Sequence, residues 1–347
     1  MSFQIKFIHY YFHSITAKGG IDLFDTKYTY AVARIRALET SLFTSQIIEQ
    51  LIACDTEEQC IQVLQEKGWG DNDTAMNADA ILGRETEKIW ETMKDLGVDM
   101  SVFDVLSYPN LFHNLKAAIK DVCSGNENKN LNIYYEDTQI SPEEMLDIIK
   151  SKEFSRFPAN MADAAREAYE TLLHTGDGQL CDVIIDRAAL DAIYAAGRAA
   201  KDSIIKEYAE SIVAIADIKI AVRSQKTAKT MDFMKRAMAP CDSIDVDQLS
   251  RAAVGGMEAV VEYLSGTAYA EGGQAIAESS SAFERWCDNR LIQAMQPQKY
   301  ESFSVGPLVA YVLARENEIK TVRIILSGKQ NGFSDDSIRE RVREMYV

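Results

Sequence analysis

From Tyr28 onward, apolar side chains recur at helical spacing. Tyr28, Ala31, Ile35, Leu38 and Leu42 step by three and four positions, which places them on one face of a helix. Ser45 has the character of an N-cap for a second helix through Ile47, Ile48 and Leu51. Ile205, Tyr208, Ile212, Ile215, Ile218 and Val222 make a longer stripe. Leu308, Val312, Ile319, Val322 and Leu326 make another, with the polar Arg315 set inside it. No comparable stretch alternates strictly, as a half-buried strand would. The pattern predicts an all-α protein. Asn132-Ile133-Tyr134-Tyr135 is a short strand or an extended connector, and Gly176-Asp177-Gly178 has the composition of a loop.

A short pattern recurs within these stripes: an acid or amide, an aliphatic, a lysine, then small and aliphatic residues. It reads Asn114-Leu115-Lys116, Asp217-Ile218-Lys219 and Glu318-Ile319-Lys320, the lysines standing 103 and 101 positions apart. Helix starts at Ser45, Ser141-Pro142 and Asp245 keep nearly the same step, and so do Asp186-Arg187 and Asp288-Asn289-Arg290. Three markers in register indicate a triplicated helical unit. The expected division is an N-terminal extension (1–26) and three similar helical-bundle units over 27–130, 131–238 and 239–347. The boundaries fall at the polar stretch 123–130 and near Ala239-Pro240-Cys241.

Composition narrows the partners. A formal net charge of −16 is a poor match for nucleic acid or for an anionic lipid surface. The local run Arg223, Lys226, Lys229, Lys235 and Arg236 is expected to be a solvated helix face; the other reading is a patch for an acidic partner. No apolar run reaches the ~20 residues needed to span a bilayer. The six cysteines, Cys54, Cys60, Cys123, Cys181, Cys241 and Cys287, include no C-x-x-C pair and read as buried reduced thiols. Residues 1–20, with Lys6, Lys18 and an aromatic run but no small-residue cleavage site, read as an extension outside the fold or as a start codon placed too early.

Chemistry-bearing motifs are sparse. His9 and His13 lack the glutamate of a metalloprotease motif, and Ser327-Gly328-Lys329 lacks the glycine and preceding strand of a P-loop. Asp71-Asn72-Asp73 begins like a calcium loop, but Leu82 stands where the closing glutamate belongs. Asp335-Asp336 is expected to support the last helix behind a Ser334 cap, and His113 to pack or cap beside the repeated lysine. No catalytic, cofactor or metal residue is expected.

Two segments resemble a known family. Tyr28-Thr-Tyr-Ala-Val-Ala-Arg34-Ile-Arg36-Ala-Leu-Glu39 is similar to the first helix of the C subunit of V-type (A-type) ATP synthases, the homologue of the d subunit of vacuolar ATPases. Ala314-Arg315-Glu316-Asn317-Glu318-Ile319-Lys320 through Arg323 to Lys329 resembles its last long helix even more closely, and the ending Ile338 to Val347 fits as well. The resemblance covers about residues 27–347, by helical pattern more than by residues in the middle unit.

It implies a funnel of three helical bundles, set as a non-catalytic rotor connector between the axial stalk of an ATPase head and the membrane proteolipid ring. That place is peripheral, on the cytoplasmic side, without lipid insertion and without a small-molecule substrate. Arg34, Arg36, Arg315, Glu316, Glu318, Lys320, Arg323 and Lys329 are then candidate contacts for rotor neighbours. Their alternative is intramolecular pairing. The residues alone also accommodate a helical-repeat scaffold of another assembly, or an all-helical enzyme.

Overall fold

The computed structural model describes residues 28–71, 77–125, 134–135 and 138–347. Within them the chain is helical throughout, with sixteen α-helices and no strand. The first four are α1 (Thr29–Glu39), α2 (Ser45–Ile52), α3 (Glu57–Glu66) and α4 (Ala78–Asp95). A long helix, α5 (Asp104–Ser124), leads to α6 (Pro142–Ser151), α7 (Ala159–Thr175) and α8 (Gly178–Ala199). A second long helix, α9 (Ser203–Lys226), leads to α10 (Met231–Ala237), α11 (Val246–Gly255), α12 (Met257–Ser265), α13 (Ala270–Glu278) and α14 (Ser280–Met295). The third, α15 (Gly306–Gln330), is followed by α16 (Asp335–Arg339).

Side-chain caps set half of the helix starts among the described residues. The side chains of Ser141, Asp245 and Ser334 each accept a hydrogen bond from the backbone N–H three residues on, as their sequence positions predict. Ser45 does not act as a cap. It is the first helical residue of α2, and Thr44, extended at φ −88° and ψ 166°, precedes it without a side-chain cap bond. The chain is already held at Phe43, whose N–H is bonded to Glu318, and Thr44 starts the helix through its carbonyl alone. Gly176 takes the left-handed conformation that ends α7, at φ 67°, and Asp177 caps α8 directly. The 176–178 turn is therefore only a hinge between two packed helices. Tyr134 and Tyr135 are in no strand, and Asn132 and Ile133 lie outside the described residues. So do residues 1–20 and Asn72-Asp73.

The buried apolar side chains gather into three cores, and their membership crosses the sequence thirds. One holds α6, α7, most of α8 and the body of α5. Another holds α10 to α14 with the second half of α9. The remaining core joins α1 to α4 with α15, α16, Tyr346 and the first half of α9. The N-terminal helices are thus completed by the C-terminal one. Every residue from Gly306 to Arg315 is buried, so the first half of α15 is covered on all sides, while its second half keeps an exposed face at Lys320, Arg323 and Ser327.

Long helices cross from core to core. Ile205 and Tyr208 of α9 belong to one core, Ile218 and Val222 to the next. At the α8–α9 crossing, Gly197 leaves no room for a side chain. A Cβ there would sit 2.3 Å from the Cβ of Ala209. Close packing of this kind resists compression and shear.

Candidate functional site

The three copies of the repeated acid or amide perform one physical task. Asn114, on α5, accepts the N–H of Tyr135 at 2.9 Å and donates to its carbonyl at 2.8 Å. Asp217, on α9, accepts the N–H of Ala239 at 3.0 Å. Glu318, on α15, accepts the N–H of Phe43. Each long helix therefore holds the backbone of the connector leading to a short helix, α6, α11 or α2, the first two capped by a side chain. The third copy reaches back to the start of the chain, which closes the series upon itself.

Burial raises the cost of these acids. Asp217 is fully buried, its second carboxylate oxygen has no partner, and desolvation pushes its carboxyl up to about 8 against the Ala239 N–H and the nearby Arg187. Glu318 is likewise raised by burial, opposed by the Arg315 guanidinium and the Phe43 N–H.

Around Glu318 lies a buried charged network. Arg315 pairs with Glu318 one turn on and with Glu85 of α4 at 2.5 Å. Glu85 also accepts from Lys88 at 2.6 Å and from the Gly70 N–H at 2.8 Å. The guanidinium lies over the Trp69 ring, 5.1 Å from its centroid, and Trp69 stacks on Phe43 at 4.9 Å. Lys88 donates to the Gly68 and Gly70 carbonyls, at 3.1 and 2.8 Å. These glycines take positive φ, 81° and 75°, and so fold the turn toward it. Glu85 and Glu318 are only 2 % exposed and Arg315 8 %. Residues 43, 69–70, 85–88 and 315–318 are thus bound into one unit.

The eight candidate contacts divide by location. Arg315 and Glu318 are spent on this interior network. Arg36 turns to Glu39 and to the Gln298 and Glu301 carbonyls, both at 2.6 Å, pinning the turn before α15 onto α1. Lys329 is nearly covered and pairs with Asp335 at 2.7 Å. Glu316 keeps part of its surface exposed, yet burial pushes its carboxyl up to about 7 against the pull of Lys320.

Arg34, Lys320 and Arg323 present charge outward. Their partners are Asp95 at 3.6 Å, Asp288 at 2.7 Å and Asp79 at 2.9 Å. Arg323 stands in a groove of about 530 Å³ between α3, α4 and α15, beside Glu57, Glu58 and Asp79. The repeated lysines act alike: Lys116 pairs with Asp186 at 2.7 Å and Lys219 with Glu284 at 3.0 Å. His113 sets its ring edge-on to Tyr135. Most of the basic run is paired as well, Lys235 with Asp247 and Arg236 with Glu167.

A model of the ATP synthase (C/AC39) subunit family matches residues 31–341. The chain belongs to this family. It is 25% identical over 324 residues to the C subunit of the V-type sodium ATPase of Enterococcus hirae, covering 90% of this chain and 97% of that protein. The C subunit of the A-type ATP synthase of Methanocaldococcus jannaschii is 23% identical over 148 residues, 40% of this chain and 37% of that one. Its counterpart in Haloquadratum walsbyi is 38% identical over 65 residues, 18% of this chain and 19% of its own. A C/AC39 protein is a structural member of its complex, and the family resemblance read from the sequence is borne out over residues 31–341.

Sequence inspection missed Glu85, Trp69 and the anchoring task of the repeat. Glu85 carried a legible signal, because it interrupts the apolar face formed by Ile81, Leu82, Ile89 and Met93 of α4. It is the counterpart of Arg315 interrupting the stripe of α15.

Proposed function

We propose that this C/AC39 protein is the non-catalytic connector of a V/A-type rotor, joining the axial stalk to the membrane proteolipid ring and passing torque between them. Family membership over residues 31–341 carries the proposal. Its mechanical side is supported by the three cores threaded by shared long helices and by the buried bond between the two ends of the chain. A part that transmits torque must not shear, and α5, α8, α9 and α14 each contribute buried side chains to two cores, which ties the units together. Three anchored units closed into a ring give a funnel able to receive a shaft.

The protein sits peripherally on the cytoplasmic side and reaches the ring through protein contacts. No helix among the described residues is long and apolar enough to cross a membrane. Arg34, Lys320 and Arg323 are the charges available to rotor neighbours: Arg34 and Arg323 form exposed surface pairs worth little to stability, and Lys320 is itself exposed beside Asp288, which Arg343 also holds.

The test is co-purification of the tagged chain from its native membranes. Stalk, head and ring components are expected together, and reproducible recovery of an unrelated assembly would overturn the connector role. Charge reversal at Arg34, Lys320 and Arg323 is expected to weaken stalk or ring recovery. Unchanged recovery with all three reversed would remove them from the interface.

A further inference from the structure

The turn between α2 and α3 brings two thiols together. Thr56 caps α3 by accepting the Gln59 N–H, and the Gln59 side chain accepts the Asp55 N–H at 2.8 Å, so the chain reverses within four residues. Cys54 lies in this turn and Cys60 in the first turns of α3. The Cys54 Sγ–H donates to the Gln50 carbonyl at 3.5 Å, and the Cys60 Sγ–H to the Leu51 carbonyl at 3.3 Å. Successive carbonyls at the end of α2 thus hold both sulfurs, which places the two thiols side by side at one end of that helix. Cys54 is half-buried and Cys60 fully covered, so a reagent from solvent meets Cys54 first.

We propose that Cys54 and Cys60 are a dithiol modification site, converted to an intramolecular disulfide by a low-molecular-weight disulfide of the oxidised-glutathione class. The Cys54 thiolate attacks one sulfur of the small disulfide, breaking its S–S bond and releasing one small thiol. The Cys60 thiolate then attacks the Cys54 sulfur, forming the Cys54–Cys60 bond and releasing the second small thiol. Two protein thiols are oxidised, one small disulfide is reduced to two thiols, and the two thiol protons pass to the released thiolates.

The second step is the slow one. Burial pushes the Cys60 thiol up to about 12, with Cys54 and Glu57 adding to the rise and the Lys329 ammonium of α15 opposing it. Attack by Cys60 is nonetheless directed, because the two sulfurs are held on successive carbonyls of the same helix end. The bond would lock the α2–α3 turn beneath the end of α15, where Lys329 binds Asp335.

The experiment incubates the folded, full-length chain with oxidised glutathione, blocks remaining thiols with an alkylating agent after unfolding, and maps peptides by mass spectrometry. The expected product has Cys54 joined to Cys60, with Cys123, Cys181, Cys241 and Cys287 alkylated. Cys54→Ser, at a half-exposed turn position, is expected to abolish the cross-link, and Cys123→Ser to leave it intact. Cys60→Ser, if it folds, should accumulate the mixed disulfide at Cys54. Persistence of that mixed disulfide in the parent chain, with Cys60 fully alkylated, would overturn the proposal. So would both thiols remaining free, or a cross-link that survives Cys54→Ser.

Discussion

Replacing Arg315 by methionine tests whether the two ends of the chain are held by charge or by apolar contact alone. Methionine keeps most of the side-chain length, so the main loss is the guanidinium. Glu85 would retain Lys88 at 2.6 Å and the Gly70 N–H at 2.8 Å, whereas Glu318 would retain only the Phe43 N–H. The uncompensated charge therefore falls on Glu318. Removing one partner of a buried pair costs about 3–5 kcal/mol.

The carboxylate has one escape, which is to take up a proton. Burial already raises Glu318 above its ordinary value, and without Arg315 it rises further. A carboxyl raised in the folded state binds more protons there than in the unfolded chain, so its contribution to stability is full at low pH and is lost as pH rises toward the folded-state value. The gap between parent and variant should accordingly widen with pH, by up to about 1.4 kcal/mol per unit across the interval between their two folded-state values. Amide hydrogen exchange at Phe43 and Gly70, whose N–H groups point into the network, gives a local readout. At pH 8 protection should fall between about a hundred-fold and a few thousand-fold, corresponding to that 3–5 kcal/mol. Protection within a factor of five of the parent, or an unfolding free-energy difference that does not change from pH 5 to pH 8, would refute the argument.

Three further outcomes follow from the same geometry. Asp217→Asn keeps the acceptor for the Ala239 N–H and removes a carboxyl raised to about 8, so urea unfolding should lose the decline in stability that the parent shows between about pH 4 and pH 8; a variant with the parent's pH slope would show that Asp217 is not its source. Gly197→Ala places a methyl 2.3 Å from the Ala209 Cβ and should cost about 1–3 kcal/mol. Adding Ala209→Gly should recover part of that loss, seen as a non-additive shift of the urea midpoint. Asp288→Asn should destabilise the chain above the acid range and lose its effect below it, because Lys320 and Arg343 outweigh burial and hold that carboxyl below its ordinary value; denaturation at pH 3 and pH 7 checks this.

The sequence disclosed what depends on near neighbours. The stripes of α9 and α15 were visible because helical period alone places Ile205 to Val222, and Leu308 to Leu326, on the faces that became buried. The Ser141, Asp245 and Ser334 caps were visible because each needs only the backbone three residues away. The start of α2 was misplaced by one residue because Phe43 is fixed by Glu318, 275 positions distant. The recurring acid or amide was found by spacing, but its use as a backbone anchor depends on connectors whose path no local pattern records. Arg315 and Glu318 were placed among partner contacts because a charge in an apolar stripe carries no mark of which way it turns. Only the burial of Arg315 and Glu318 themselves, 8 % and 2 % exposed, shows that these charges face other parts of the same chain.

The bond between Arg315 and Glu85 also sets an order of events during synthesis. The two residues are 230 positions apart, and a ribosome adding 5–20 residues per second takes about 12 to 46 s to cover that distance. Throughout that interval the N-terminal helices have emerged, yet the helix that completes their core does not exist. Trp69, Phe43 and the apolar faces of α1 to α4 wait without their cover, while α6 to α8 already have their whole core on the nascent chain. The part of the molecule made first is the last to be finished. Nascent chains stalled before Gly306 should therefore hold an open N-terminal segment prone to chaperone capture and proteolysis, beside a second unit that is already closed.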